Sequence, residues 1–251
     1  SGVAYCMGNT AAVNRLVYGW YPRDDILNSN CIVLFGHDPR RHSWTMEYKS
    51  IRMRQAKGAK LIVLDPRKSE NAEAADIWLP LRAGTDAIMT FGWLKVIVEE
   101  ELYDKDFVRD WTVGFDEFVH RLNEYPLDRV AKVTGVDEEL IRKAARMYAT
   151  TGPATIPWSP ITDQQVSSTS AIRLHCILRA ITGNIDVKGG DRFIGFNPSV
   201  RSSSEIEMHQ ILSEKQKSKQ LGSQEFPVFT YRGMEALGDA TEKVWGIRYA
   251  N

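Results

Sequence analysis

Residues 61–86, LIVLDPRKSENAEAADIWLPLRAGTD, constrain the fold of this chain more than any other stretch. An apolar run at 61–64 ends at Asp65, and a second apolar run at 77–81 leads shortly to Asp86. Short apolar runs bounded by turn residues are typical of fully buried strands. In open α/β sheets, ligands bind outside the carboxyl ends of such strands. The stretch therefore predicts a buried sheet whose edge presents carboxylates to a nucleotide-shaped ligand.

Apolar runs alternate with helical segments along most of the chain. Strands are predicted at 31–36, 61–64, 77–81 and 154–158, and the main helices at 43–57, 87–102, 137–151 and 171–182. Strands separated by helices favour parallel pairing through right-handed crossovers. The predicted fold class is α/β, with a doubly wound, mostly parallel sheet and helices on both faces.

Periodicity is lost in the last fifty residues. From Arg201 onward the chain is polar and has little helical or strand pattern. The prediction is an α/β domain over 1–195, followed by an irregular segment over 196–251 that leads to a neighbouring domain. Because the chain begins with Ser1 rather than Met, we expect a piece of a longer protein.

Charge and hydropathy exclude some classes of partner. Lysine plus arginine equals aspartate plus glutamate at 32 each, so the net charge is zero. A general nucleic-acid or membrane-surface binder needs an excess of positive charge. No apolar run approaches the length of a membrane span. We therefore expect a small-molecule substrate, no nucleic-acid partner and no direct membrane insertion.

Several common cofactor and metal motifs are missing. The chain lacks GxGxxG after the strand at 31–36, and it lacks the GxxxxGK[ST] loop that holds a triphosphate. Its three cysteines, Cys6, Cys31 and Cys176, have no CxxC spacing, which excludes a disulfide framework or a zinc site of that type. Cys31 and Cys176 lie in apolar patterns and are predicted to be buried thiols.

Asp65 and Arg67 follow the strand at 61–64. A carboxylate at such a strand end can accept hydrogen bonds from ribose hydroxyls, and an adjacent guanidinium can reach phosphate. The structural alternatives are a surface salt bridge and an Asx turn across Pro66. The residue types alone leave these interpretations open.

Asp86 follows Gly84 and Thr85 after the strand at 77–81. Its carboxylate could accept hydrogen bonds from both N1–H and the exocyclic amine of guanine, which would discriminate guanine from adenine. The alternative is that Thr85 or Asp86 only caps the next helix. Both roles are compatible.

Other candidate residues carry weaker signals. Gly36 and Asp38 come at the end of the strand at 31–36, where glycine allows a ligand to approach the backbone, although a simple strand-to-helix turn explains these residues better when they are taken alone. Gln165 opens a helix and could bind a pterin edge or a phosphate. In the apolar helix that follows, His175 is predicted to be a satisfied core residue, and Arg173 would need an anion if buried.

Together these segments resemble the molybdopterin oxidoreductase family, which includes dimethyl sulfoxide reductase and formate dehydrogenase. The matching features, in order, are CIVLFGHDP, GAKLIVLDPRKSENAEAADIWLPLRAGTDAIM, EEELYDKDFV, TGVDEELIRKAARMYAT and RLHCILRAITGNIDVKGG. The resemblance covers roughly residues 1–195. It implies a domain that binds one guanosine arm of a bis(molybdopterin guanine dinucleotide) cofactor holding molybdenum or tungsten.

The resemblance assigns cofactor contacts to Gly36, Asp38, Asp65, Arg67, Gly84, Thr85, Asp86 and Gln165. It also implies that Cys6 ligates the metal, and that Arg173 lines the substrate pocket as a catalytic residue. Asp38 departs from the family's usual asparagine, so the amide donor is lost while an oxygen acceptor remains. Met7 follows Cys6 where formate dehydrogenases carry a histidine, which weighs against formate oxidation.

The resemblance also implies parts outside this chain. An N-terminal part with a 4Fe–4S cluster is expected, as are an iron–sulfur electron-transfer subunit and a membrane anchor subunit. The source is expected to be bacterial or archaeal, and both periplasm and cytoplasm remain open. We expect a central fragment of an oxidoreductase that is inactive alone. A redox-neutral hydratase, a non-redox guanine-nucleotide module and an interaction subunit are the alternatives.

Overall fold

The computed structural model describes residues 6–41, 45–194, 211–222, 224–225, 230–246 and 248. These residues fall into two compact units. One unit is Pro22–Phe193, and the other contains the described residues of 1–21 and 194–251. The predicted domain boundary at 195 lies close to the end of the first unit. The described residues before Pro22, however, group with the C-terminal part instead of with the sheet.

A parallel sheet forms the centre of the Pro22–Phe193 unit. The strands are β1 (Arg23–Asp24), β2 (Cys31–Phe35), β3 (Lys60–Leu64), β4 (Ile77–Leu79), β5 (Ala154–Thr155) and β6 (Asp191–Arg192). The four-stranded sheet has the order β4-β3-β2-β5, and each of its pairs is parallel. β1 and β6 form a separate antiparallel pair.

Helices fill the intervals between the strands. They are α1 (Gly8–Tyr18), α2 (Thr45–Ala56), α3 (Glu70–Glu73), α4 (Asp86–Glu99), α5 (Lys105–Trp111), α6 (Phe115–Leu122), α7 (Leu127–Thr134), α8 (Glu138–Thr150), α9 (Pro160–Asp163), α10 (Ser168–Ile181), α11 (Glu214–Lys217) and α12 (Tyr231–Trp245). Several of these helices are capped at the N-terminus by a side chain. Ser69, Asp104 and Asp137, for example, accept hydrogen bonds from the first-turn amides of α3, α5 and α8.

The two faces of the sheet bury different helices. Cys31, Val33 and Phe35 of β2 point into the larger core, which contains residues of α4, α7, α8 and α10. Ile32 and Leu34 point to the opposite face, against Ile51 of α2 and Ala72 of α3. This alternation is the period-two pattern of a strand buried on both faces. The predicted α/β fold class is confirmed.

Two predicted strands are shorter in the structure, and the cause is local. β4 ends at Leu79 because Pro80 has no backbone N–H to continue the ladder. β5 ends at Thr155 because the backbone amide and carbonyl of the next residue form hydrogen bonds with side chains instead of with a neighbouring strand. The amide of Ile156 donates to Asp191 Oδ2 (3.3 Å), and its carbonyl accepts from Arg179 (2.9 Å).

A buried ion pair holds the end of β5. Arg179 Nε of α10 lies 2.6 Å from Asp191 Oδ2 of β6, and both side chains are largely buried. Asp191 Oδ1 also accepts from the hydroxyl of Thr155 (2.8 Å). A buried ion pair is tolerated only when its remaining polar atoms find partners, as they do here. The pair joins α10, β5 and β6 and thereby fixes where the chain leaves β5.

The prediction of an irregular segment over 196–251 is wrong for residues 231–245. They form α12, which ends at Gly246 in a left-handed conformation. Within its unit this helix packs against α1, and Trp245 Nε1 donates to the carbonyl of Leu16 (3.1 Å). Its two glycines have low helix propensity, so the segment did not stand out as a helix in the sequence.

His175 is buried as predicted, but it is not satisfied. Its ring lies 4.2 Å from that of Phe35, and Nε2 has no hydrogen-bond partner among the described residues. Burial, followed by the positive charge of Arg179, lowers the pKa of His175 to about 3. The folded protein therefore holds this imidazole neutral across the physiological range.

His175 should make the protein sensitive to acid. Since its folded pKa lies below the unfolded value of 6.5, the unfolded state alone binds a proton as the pH falls from 6.5 towards 3. We expect a loss of about 2 kcal/mol of unfolding free energy between about pH 7 and about pH 5 from this group. Denaturant titrations of wild type and His175→Met at both pH values measure it. The loss of unfolding free energy on acidification should be smaller in His175→Met than in wild type by that amount. The control variant His120→Met, at an exposed histidine, should lose as much as wild type. Equal acid losses in wild type and His175→Met would contradict the assignment.

Candidate functional site at the carboxyl edge of the sheet

The strand order places a topological switch point at β2. The chain passes from β2 to β3 and β4 on one side, and later returns to β5 on the other side. Ligands of open α/β sheets bind at the carboxyl ends of the strands next to such a point. The loops that follow β2, β3, β4 and β5 therefore define the candidate site.

Asp65 follows β3 and is 7% exposed. Its Oδ1 accepts from the amide of Arg67 (2.8 Å), so the predicted Asx turn across Pro66 is present. Its backbone is fixed to β4, since its amide donates to the carbonyl of Leu79 (3.2 Å) and its carbonyl accepts from Trp78 Nε1 (2.8 Å). No described residue is seen to donate to Oδ2. One oxygen thus shapes the turn and the other remains available to a ligand.

Arg67 bridges the loops that follow β2 and β3. One terminal nitrogen of its guanidinium donates to Asp38 Oδ2 (2.8 Å). The side chain of Asp38 is 8% exposed and that of Arg67 is 63% exposed. The second oxygen of Asp38 accepts from Asn71 Nδ2 of α3 (2.8 Å). The predicted salt bridge of Arg67 therefore exists, and it leaves much of the guanidinium accessible.

Asp86 lies in the first turn of α4 and is 5% exposed. Desolvation raises the pKa of this carboxyl, while a hydrogen bond from the Gln165 side chain acts in the opposite direction. Thr85, the N-cap residue of α4, makes no side-chain cap, whereas the Asp86 carboxyl accepts from its own backbone amide in the first turn. The Asp86 carboxylate also faces Gln165 from the loop after β5.

Gly36 is where the loops after β2 and β5 meet. Its φ of +52° is left-handed, and a Cβ atom there would lie 2.9 Å from Ile161 Cγ2. Its carbonyl accepts from the hydroxyl of Ser159 (3.3 Å). The carbonyl of Ile161 in turn accepts from Gln165 Nε2 (3.4 Å). Only glycine at position 36 permits this approach, and it fixes the loop that delivers Gln165 to Asp86.

In the turn before Asp86, Arg82 has a structural role. Gly84 adopts a φ of +80° with open space around it, and Thr85 Oγ1 donates to the carbonyl of Arg82 (2.6 Å). The guanidinium of Arg82 donates to the carbonyls of Lys132 (2.7 Å) and Val133 (3.1 Å) at the end of α7. Arg82 therefore stabilises a helix C-terminus, where cations are favoured.

Sequence reasoning missed a titratable group beside the loop after β2. The ring of His37 is buried, and Nε2 lies 2.5 Å from Glu47 Oε1 of α2. Asp24 lies opposite Asp191 in the β1–β6 pair. Burial and the charges of Asp191 and Glu47 raise the pKa of Asp24 to about 6, although its side chain retains exposed surface. These residues come from separate elements, so sequence spacing gave no signal that they approach one another.

The remaining predicted residues lie elsewhere. Cys6 precedes α1 in the other unit and is partly buried, so its metal-ligand role stays a prediction. Arg173 is exposed on α10, so it needs no paired anion, and its role in the substrate pocket stays a prediction. The buried arginine of this helix is Arg179. Cys31 and Cys176 are buried thiols as predicted, and burial raises the pKa of Cys31 to about 12.

Within the part of the chain that the structure describes, no three His, Cys, Asp or Glu side chains are grouped to hold a metal ion. Across those same residues, every helix falls short of the length and apolar character needed to cross a membrane.

A family model described as molybdopterin oxidoreductase matches residues 1–240. The chain belongs to the molybdopterin oxidoreductase family. The predicted resemblance and the prediction of an enzyme family are confirmed. The match covers nearly the whole chain, including the strand-end segments around Asp65 and Asp86.

Similar proteins carry the names of several activities. The chain is 47% identical to acetylene hydratase of Syntrophotalea acetylenica, over 99% of this chain and 34% of that protein. It is 30% identical to formate dehydrogenase H of Escherichia coli, over 98% of this chain and 32% of that protein. It is 34% identical to dimethyl sulfoxide reductase DmsA of Escherichia coli, over 66% of this chain and 23% of that protein.

A solved structure has the same fold. Acetylene hydratase from Pelobacter acetylenicus superposes with a TM-score of 0.87 at 46% sequence identity, covering 99% of this chain and 34% of that chain. The chain thus spans about a third of the length of the relatives it matches most fully.

The carboxyl ends of the strands present groups that suit a nucleotide-shaped ligand. Asp65 Oδ2 and the exposed part of Arg67 are available to a ligand. Desolvation raises the pKa of the buried Asp86 carboxyl despite hydrogen bonds from its own backbone amide and from Gln165. Open space surrounds Gly84. Asp38 fits less well as a ligand, because both of its oxygens accept internal hydrogen bonds.

Gly36→Ala should disturb this edge more than an equivalent change elsewhere. An alanine must adopt a left-handed φ, which costs about 1–2 kcal/mol, and its Cβ must displace Ile161. Gly58→Ala is the matched control, because Gly58 has a φ of +94° with no atom within 4 Å. Urea unfolding should show a larger loss for Gly36→Ala, by about 1 kcal/mol. Equal losses would mean that the contact between the two loops is unimportant.

Proposed function

We propose that the carboxyl edge of β2, β3 and β4 binds one guanosine arm of a bis(molybdopterin guanine dinucleotide) cofactor that holds molybdenum or tungsten. The observation that carries this proposal is the pair of buried carboxylates, Asp65 and Asp86, that follow neighbouring parallel strands at one edge of the sheet. Family membership supports the pterin.

Asp86 is the residue for the base. Desolvation raises the pKa of this carboxyl even with hydrogen bonds from its own amide and from Gln165, and guanine would add two donors, at N1 and at the exocyclic amine. These donors would stabilise the ionised carboxylate. Adenine would present an acceptor at N1 and would leave the carboxylate uncompensated, which gives the site its discrimination.

Asp65 and Arg67 are the residues for the sugar and the phosphate. Asp65 Oδ2 accepts from ribose hydroxyls, and the exposed nitrogens of Arg67 donate to phosphate oxygens. Gly84 leaves open space in which a ligand can approach the backbone, and Gly36 admits Ile161 and so positions the loop that carries Gln165. Gln165 in turn holds the Asp86 carboxylate beside the loop after β5.

The bound cofactor would supply two-electron or oxygen-atom chemistry at its metal. In this proposal Cys6 provides the protein ligand, since a thiolate suits such a soft metal site. Arg173 is exposed and available to bind an anionic or polar substrate. The 4Fe–4S cluster, an iron–sulfur subunit and a membrane anchor subunit belong to the same proposal and lie outside this chain.

Replacing the strand-end carboxylates should empty the site. In the full-length protein we expect about one molybdenum or tungsten per chain and guanine nucleotide released on hydrolysis. Asp86→Ala and Asp65→Ala should each lower the nucleotide content tenfold or more, because each removes charge-assisted hydrogen bonds worth about 1.5–3 kcal/mol. Elemental analysis and chromatography of the released nucleotide measure this.

Asp76→Asn is the matched control, because Asp76 lies at the amino ends of β3 and β4, away from the candidate site. There its Oδ1 pairs with Lys60 Nζ at 2.8 Å. Its cofactor content should equal that of wild type. Wild type that holds pterin and metal without guanine nucleotide would contradict the proposal. Nucleotide without metal or pterin would instead support the alternative of a non-redox guanine-nucleotide module.

A redox-neutral hydration is the second candidate, and the comparisons favour it in one respect. The 47% identity to acetylene hydratase exceeds the 30% and 34% to formate dehydrogenase H and DmsA. Met7, in the position after Cys6, also departs from the histidine of formate dehydrogenases. Hydration adds water across a multiple bond without net electron transfer, so it needs no electron-transfer partner.

The two candidates differ in their need for an electron acceptor. If hydration is the reaction, the full-length protein should convert acetylene and water to acetaldehyde with no acceptor present, and adding an acceptor should not change the rate. Gas chromatography of the product measures this. Acceptor-dependent oxidation of formate, with no product from acetylene, would overturn the hydratase candidate and leave the cofactor proposal intact.

A further inference from the structure

Asp38, Arg67 and Asn71 form a closed group at the loop after β2. Asp38 is 6% exposed and Asn71 is 1% exposed. Each oxygen of Asp38 accepts one hydrogen bond of 2.8 Å, Oδ2 from Arg67 and Oδ1 from Asn71. The two donors come from the turn after β3 and from α3, so this carboxylate fastens two loops together.

This geometry gives Asp38 little scope as a direct ligand. Its oxygens are already engaged, and its negative charge would repel a diphosphate brought close to it. Arg67 is different, because Asp38 holds one side of the guanidinium while the rest of the side chain is exposed. A guanidinium held in this way loses less side-chain entropy when it binds an anion.

We propose that Asp38 is a positioning residue that orients Arg67 towards the phosphate of the bound guanosine arm, and does not itself contact the cofactor. The proposal rests on the proposed function, since it assumes that Arg67 faces the ligand. If Asp38 is a positioning residue, it affects binding in two distinct ways that mutations can separate. One is the hold on Arg67, and the other is a negative charge near the phosphate.

Asn71 makes these two effects separable by mutation. Its Oδ1 is buried with no hydrogen-bond partner among the described residues. In an Asp38→Asn variant, the new amide oxygen can accept from Arg67, and the new amide nitrogen can donate to Asn71 Oδ1 once the Asn71 amide turns over, since Nδ2 is the atom that faces Asp38 in the wild type. That variant therefore keeps the hold and removes the charge. Asp38→Ala removes both.

The test measures GDP binding to the full-length protein prepared without cofactor, by calorimetry, so it does not depend on activity. We expect Asp38→Ala and Arg67→Ala each to weaken GDP binding about tenfold. Because Asp38 acts through Arg67, the double variant should bind no more weakly than Arg67→Ala alone. Asp38→Asn should bind GDP at least as tightly as wild type, with a steeper dependence on salt.

The proposal would be overturned if Asp38→Ala and Arg67→Ala act independently, so that the double variant binds GDP about a hundredfold more weakly than wild type. A loss in Asp38→Asn as large as in Asp38→Ala would also overturn it. The Asp76→Asn control should bind like wild type. If Asp38→Ala does not fold, the Asp38→Asn change carries the test, because a variant that keeps the hold on Arg67 and loses only the negative charge must bind GDP no more weakly than wild type. Wild type that fails to bind GDP would count against the proposed function, whereas binding without coupling counts only against this inference.

Discussion

The hydrogen bonding of β2 to a parallel strand on each side is the constraint on which the rest of the structure depends. Every residue of β2 is at most 1% exposed, and the strand pairs with β3 on one edge and β5 on the other. Parallel pairing brings the carboxyl ends of all four strands to the same end of the sheet. Because helices cover both faces of the sheet, this end is where polar groups meet solvent. The fold therefore positions the candidate site before any ligand is considered.

Polar contacts between loops then give that edge its shape. Arg67 and Asp38 join the turns after β3 and β2, and Gln165 joins the loop after β5 to Asp86. Behind them the ion pair of Arg179 and Asp191 fixes the end of β5. Each contact satisfies a group whose burial would otherwise be costly, so the loops are held by the same interactions that keep their charges compensated.

Family membership and geometry support different parts of the functional argument. The match over residues 1–240 shows membership of the molybdopterin oxidoreductase family, and the chain spans about a third of the relatives it matches most fully. Relatives with the names of a hydratase, a dehydrogenase and a reductase share the fold. The guanosine arm is argued from side chains present in this chain.

The sequence by itself determined the sheet, its main helices and the positions of Asp65 and Asp86, because buried strands and their terminal turns leave a local apolar and turn pattern. It did not determine α12, whose two glycines have low helix propensity, nor the end of β5, where Asp191 and Arg179 form hydrogen bonds with the backbone groups of Ile156. Tertiary structure also decided the roles of the arginines. Arg82 stabilises a helix end, Arg179 is buried and Arg173 is exposed. The physical reason is that a charged side chain is defined by its partners, and those partners come from residues distant in sequence.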